Sequence, residues 1–209
     1  MAASVPASHA GLTDAPPPPL ARPRVVMVAA ALVSVACAVF FAGMIGIYLT
    51  LRSAALAQNQ AWLPEASVFP LQQPNVMLFA LIMSSVTVQW AVDAIRRDDR
   101  QQAYLALGIT LLFGFAVANM AAYLYSVLKL DISIVKPVAT PMPVLVYTIT
   151  GAHLLMLVAA MVFVGLMAFR ALGGQFTSRQ YDGVSAAALF WHAQVVVFVV
   201  IWFAIYITK

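Results

Sequence analysis

Charge is what this sequence has least of: 9% of its 209 residues are Asp, Glu, Lys or Arg, against 64% apolar. A soluble domain carries about 25% charged residues, so a water-exposed globule is excluded. The mean hydropathy is +0.94, and the apolar residues fall in blocks longer than a soluble core needs. Cysteine is all but absent. The single Cys37 rules out an intrachain disulfide and any cysteine-based metal set, and within an apolar run it reads as inert filler. The chain has no P-loop, no GxGxxG and no Ser/His/Asp set. Carboxylates at membrane depth, which coupled transporters and membrane enzymes need, are missing as well: Asp93 lies about a turn from the end of its apolar run. The net charge of +4 does not imply nucleic-acid binding, because the cations sit at the ends of apolar runs, where they set topology.

What remains is membrane-spanning sequence. About 20 apolar residues at 1.5 Å rise cross the hydrocarbon layer, and five runs meet that length. They predict an all-α, polytopic bundle of five transmembrane helices over about 25–51, 75–95, 103–128, 144–171 and 183–207. Residues 1–23, with Ala15-Pro16-Pro17-Pro18-Pro19 and Arg22-Pro23, lack apolar periodicity and are expected to form a disordered or polyproline-like tail. They do not read as a signal peptide, and residues 24–209 form the membrane domain. Pro64, Pro70 and Pro74 with Trp62 mark the first long connection, and Lys129, Asp131, Lys136, Pro137, Pro141 and Pro143 the third.

Small residues suggest close helix approaches. These are Ala42 and Gly46 beside Gly43 in the first helix, Gly114, Ala118 and Ala122 in the third, and Gly151 in the fourth. Seven arginines (22, 24, 96, 97, 100, 170, 179) fall on one side, and Arg52, Lys129, Lys136 and Lys209 on the other. The positive-inside rule then places the N-terminus in the cytoplasm.

Polar side chains at depth normally face other helices. Trp191, His192 and Gln194 lie near the middle of the last span, His153 in the fourth, and Ser84, Ser85 and Gln89 along the second. His153 and His192 each lie about 13 Å into the layer from opposite faces, so the two imidazoles reach similar heights. Either each is bonded separately to a carbonyl or hydroxyl, or both join one network between the fourth and fifth helices. A metal or haem site is the least supported reading, since no third ligand accompanies them.

Several segments together resemble subunit III of the haem–copper terminal oxidases. They are Leu189-Phe190-Trp191-His192 and the run to Tyr206, Thr150-Gly151 followed by His153, Phe40-Phe41-Ala42-Gly43 with Tyr48 and Arg52, Ser84-Ser85 with Thr87 and Gln89, and Gly114 through Tyr123 and Tyr125. The five-span arrangement is similar to bacterial forms without two extra N-terminal helices. The resemblance implies a non-catalytic subunit of a cytochrome c oxidase in a bacterial inner membrane, engaged in aerobic electron transport. Such a subunit binds no redox cofactor itself, packs on catalytic subunit I (haem and copper), works beside subunit II, and carries bound phospholipid. On this reading Arg52, Gln89, His153, Trp191 and His192 are candidate lipid-contact or interhelical polar residues, and Gly43, Gly114 and Gly151 packing positions. Where that family has ionisable residues, this chain has Cys37, Leu124, Met156, Ser185 and Val195. The expectation is therefore a scaffold with little direct influence on proton uptake. The alternatives are an accessory or assembly protein of a quinol oxidase or nitric oxide reductase, and a small membrane transporter centred on His153 and His192.

Overall fold

A computed structural model describes residues 24–63, 70–128, 130 and 141–208. The expected tail, Pro64, and Lys129 with most of the connection up to Thr140 lie outside the described residues. Five helices are long and apolar enough to cross a membrane. These are α1 (Val25–Ala57), α2 (Gln72–Arg96), α3 (Arg100–Leu128), α4 (Met142–Leu172) and α5 (Asp182–Ile201), the last continuing as a π-helical turn, Trp202–Ile207. The protein is an all-α, multi-pass membrane protein.

The helix ends follow local chemistry. Pro143 opens α4 in the first turn, where its missing N–H costs nothing. The Asp99 carboxylate accepts the Gln102 N–H at 3.1 Å and caps the start of α3. Asn59, Asp98 and Gly174 take positive φ (54°, 55° and 70°) and turn the chain out of α1, α2 and α4. The first helix runs past its expected end at Leu51, because Ser53-Ala54-Ala55-Leu56-Ala57 contains no helix breaker. Arg52 therefore sits inside α1, not after it.

Antiparallel connectivity gathers Arg24, Arg96, Arg97, Arg100, Arg170 and Arg179 at one end of the bundle, here called the arginine end. There Asp98 accepts the Ser178 backbone N–H at 2.7 Å, which ties the α4–α5 connection to the α2–α3 turn. Arg24 pairs with Asp182 at 3.6 Å.

The central element is α5. It packs on α1, α2 and α4, and 56% of its most apolar window is buried, against 22% for α1. Without a hydrophobic drive inside lipid, such packing rests on close fit and interhelical hydrogen bonds. One core centres on Trp191 with Leu81, Val88, Leu157 and Val184. The other, toward the far end, centres on Phe41, Tyr48, Ile201 and Tyr206.

Candidate functional site

Two adjacent residues of α2 meet two adjacent residues of α5. Trp191, fully buried, donates its indole N–H to Ser84 Oγ at 2.9 Å, and Ser84 donates its own O–H to the Leu81 carbonyl at 2.6 Å. Next to it, Ser85 Oγ and His192 Nδ1 are hydrogen-bonded at 3.0 Å. Short side chains with hydroxyls let α2 come close enough for these bonds, and Gly114 on α3 leaves the space that the Trp191 ring fills. A Cβ there would stand 2.9 Å from Trp191 Cη2 and 2.9 Å from Met161 Cγ.

On the other side of α5, His153 Nε2 lies 3.0 Å from the Gln194 backbone carbonyl. A carbonyl only accepts, so Nε2 carries the proton. Phe41 and Phe198 flank the imidazole, with ring centroids at 6.0 and 5.2 Å. The two histidines are thus bonded to different partners on different helices: His153 to α5, His192 to α2. Other interhelical bonds extend the same pattern. Thr87 and Thr110 join α2 to α3 at 2.7 Å, Tyr125 donates to Thr150 at 2.9 Å between α3 and α4, and Trp202 donates to Asn75 Oδ1 at 2.8 Å.

The remaining candidates separate from this seam. Gln89 lies one turn from Ser85 on the exposed side of α2, with Nε2 3.4 Å from Asp93 Oδ1. Arg52 is half-buried near the far end of α1, away from the Trp191–Ser84 contact. Among the packing candidates only Gly114 is crowded. Gly43 is exposed with nothing within 4 Å of an added Cβ, and Gly151 meets only the Tyr125 hydroxyl at 3.9 Å. The suggested Gly43 contact is therefore corrected within this chain: α1 buries Ala30, Ser34, Cys37, Phe41, Ile45 and Tyr48, and this face leaves Gly43 outward. The Gly114–Ala118–Ala122 seam is likewise displaced, since α3 buries Gly114, Val117, Ala121 and Leu124 while Ala122 is exposed.

Two features emerge only from the packing. The Gln194 amide is fully buried, and neither its oxygen nor its nitrogen has a partner among the described residues. At the arginine end, Arg24, Arg170, Arg179, Phe176, Asp182 and Gly183 help line a groove of about 250 Å³. Arg170 is positioned there by Gln175 Oε1 at 2.8 Å and by the Phe176 ring, 5.4 Å from its guanidinium. Arg24 is far in sequence from Arg170 and Arg179, which flank the α4–α5 connection; their common signal is that all three fall at the same end of the bundle.

Outside the spans, two hydrogen bonds from Ser178 hold the Asp98 carboxyl below its ordinary value of 3.8. Among the described residues, no group of three or more His, Cys, Asp or Glu side chains is placed to hold a metal ion. The two imidazoles do not form a haem pair either, because His153 Nε2–H is committed to the Gln194 carbonyl.

The sequence profile of the family described as cytochrome c oxidase subunit III matches residues 24–209. Curated relatives named cytochrome c oxidase subunit 3 are similar to this chain. That of Carassius auratus is 30% identical over 66% of this chain and 51% of its own length. That of Struthio camelus is 28% identical over 81% and 64%, and that of Homo sapiens 28% identical over 80% and 63%. The chain thus spans about half to two-thirds of the length of the relatives it matches.

Proposed function

Because this chain belongs to the cytochrome c oxidase subunit III family, we propose that it is a non-catalytic, structural subunit of a respiratory haem–copper oxidase. It docks on the subunit that holds haem and copper, beside subunit II, and stabilises it during proton-coupled oxygen reduction. The chain carries no redox step. Cytochrome c is the electron donor to the complex, and the complex resides in a bacterial inner membrane with the arginine end cytoplasmic.

One observation carries the reading beyond family membership. The deep polar side chains that could do chemistry are mostly engaged in holding helices together: Trp191 on Ser84, His192 on Ser85, His153 on the α5 backbone. A transporter centred on the two histidines would need them poised toward a shared path, and a carboxylate with them. The arginine groove supports the lipid-binding part. Its three guanidiniums against one carboxylate suit a phospholipid phosphate at the membrane surface.

The test is purification of the tagged chain from its native membranes in mild detergent, followed by a visible spectrum. Haem at one complement per chain is expected, together with the catalytic subunit. A colourless, monodisperse protein would refute the docking role. In the assembled complex, replacing His153 and His192 with Leu is expected to leave the pH dependence of turnover in place. A large downward shift in the pH at which activity falls would reject a scaffold without influence on proton uptake.

A further inference from the structure

Polar side chains on the outer surface of this bundle mostly serve themselves. Thr50 donates to the Gly46 carbonyl at 2.8 Å, Asn119 to Phe115 at 2.8 Å, and Thr148 to Val144 at 2.7 Å, each within its own helix. That is the arrangement lipid demands, since hydrocarbon offers no partner. One outward face breaks the pattern. Gln89 is exposed on α2, and its amide has two donors and an acceptor. Its one bond is a long one, 3.4 Å to Asp93, whose carboxylate also lies 3.5 Å from Arg96. Gln89 stands seven residues before Arg96, hence about 10 Å inside the arginine end, too deep for an exposed amide to be left to lipid tails. One turn further in, His192 is half-buried and bonded through Nδ1 to Ser85. Its Nε2 has no partner among the described residues. Ser85, Val86, Gln89, Trp90, Asp93 and Arg97 line an open groove of about 510 Å³ along this face.

We propose that this face of α2 is where the haem-bearing subunit docks, through a transmembrane helix with a donor–acceptor side chain (Asn, Gln, Ser, Thr or Tyr) opposite Gln89. The inference rests on the docking role proposed above and names its surface. A protein helix with such a side chain satisfies the Gln89 amide, whereas an acyl chain does not. The apolar faces around Leu112 on α3 and Leu155 on α4, exposed by 69% and 65%, are left to lipid.

The test places a benzophenone amino acid at Val86, which lines the groove and is 61% exposed, so that Gln89 stays intact. The same probe goes at Leu112 and at Leu155. Irradiation of native membranes holding the full complex is expected to join the haem-bearing polypeptide, identified by mass spectrometry, to the Val86 probe and only lipid to the other two. Adducts of that polypeptide from Leu112 or Leu155 but not from Val86 would leave the docking role standing and overturn this face. No polypeptide adduct from any position, with no haem co-purifying, would bring down the docking role itself. Independently, Gln89→Leu is expected to weaken retention of the haem-bearing subunit about three- to tenfold in detergent, with Asn119→Leu unchanged. Equal retention in both variants, with folding checked by circular dichroism, would overturn the proposal.

Discussion

Gly114→Ala is the sharpest probe of how α3, α4 and α5 meet. The added methyl carbon would sit 2.9 Å from both Met161 Cγ and Trp191 Cη2, and 3.1 Å from Met161 Sδ. Carbon pairs are comfortable at about 3.5–4.0 Å, so something must move by more than half an ångström. Met161 is flexible and can yield. The indole cannot yield cheaply: it is fully buried, and swinging it away stretches its 2.9 Å bond to Ser84. Overpacking of this kind costs about 1–3 kcal/mol, a factor of about 5 to 150 in the folding equilibrium. The assay is unfolding of the purified protein in mixed micelles by sodium dodecyl sulfate, followed by circular dichroism and tryptophan emission. Combining the change with Trp191→Phe, which removes the offending ring, should recover about 1 kcal/mol or more of coupling. Gly43→Ala is the control, neutral or slightly stabilising, because nothing lies within 4 Å of it. Wild-type stability in Gly114→Ala, or the same penalty with and without Trp191, would refute the reasoning.

Further outcomes follow from the same contacts. Ser84→Ala strands the Trp191 N–H in the core and should destabilise the fold by about 1–2 kcal/mol, read in the same unfolding assay. Gln194→Leu removes an amide with no partner among the described residues and is expected to be neutral or stabilising; a loss comparable to that of Ser84→Ala would mean the amide is engaged. For Asp98, the folded-state carboxyl is held below its ordinary 3.8 by the Ser178 hydrogen bonds. Its tether is therefore complete above that ordinary value and fades as pH falls through the lower, folded one. Asp98→Asn should remove this acid-side loss, measured as the protection of the Ser178 amide against hydrogen exchange. Arg170→Ala with Arg179→Ala should lower the anionic phospholipid that co-purifies with the protein, measured by lipid mass spectrometry; unchanged lipid would remove the groove from consideration.

Five spans were legible because a run of some 20 apolar residues has few other uses. Their ends lie within a few residues of the expected ones, the largest difference being at α1, which Ser53–Ala57 extends because they hold no helix breaker. Facing was far less legible. A soluble helix shows its inside by an apolar stripe, but these helices are apolar all round, so Gly43 and Gly114 looked equivalent although one faces out and the other is crowded. Polar residues carried more information. Of the polar residues expected to turn from lipid, Trp191, His153 and Gln194 are buried whereas Gln89 is exposed. Which helix each meets is not written in spacing: the similar depths of His153 and His192 allow either separate bonds or one shared network, and rotation about α5 gives separate bonds, one with α4 and the other with α2. The arginine groove is not legible in spacing because Arg24, before α1, meets Arg170 and Arg179 of the α4–α5 connection only through the packing of the bundle.

The position of α5 in chain order has a consequence for biogenesis. Helices α1 to α4 leave the ribosome before the element that most of them pack against. Until α5 arrives, Ser84, Ser85 and His153 lack the indole, imidazole and carbonyl that answer them. A nascent chain halted in the α4–α5 connection would therefore lack the interhelical bonds that α5 brings to α2 and α4.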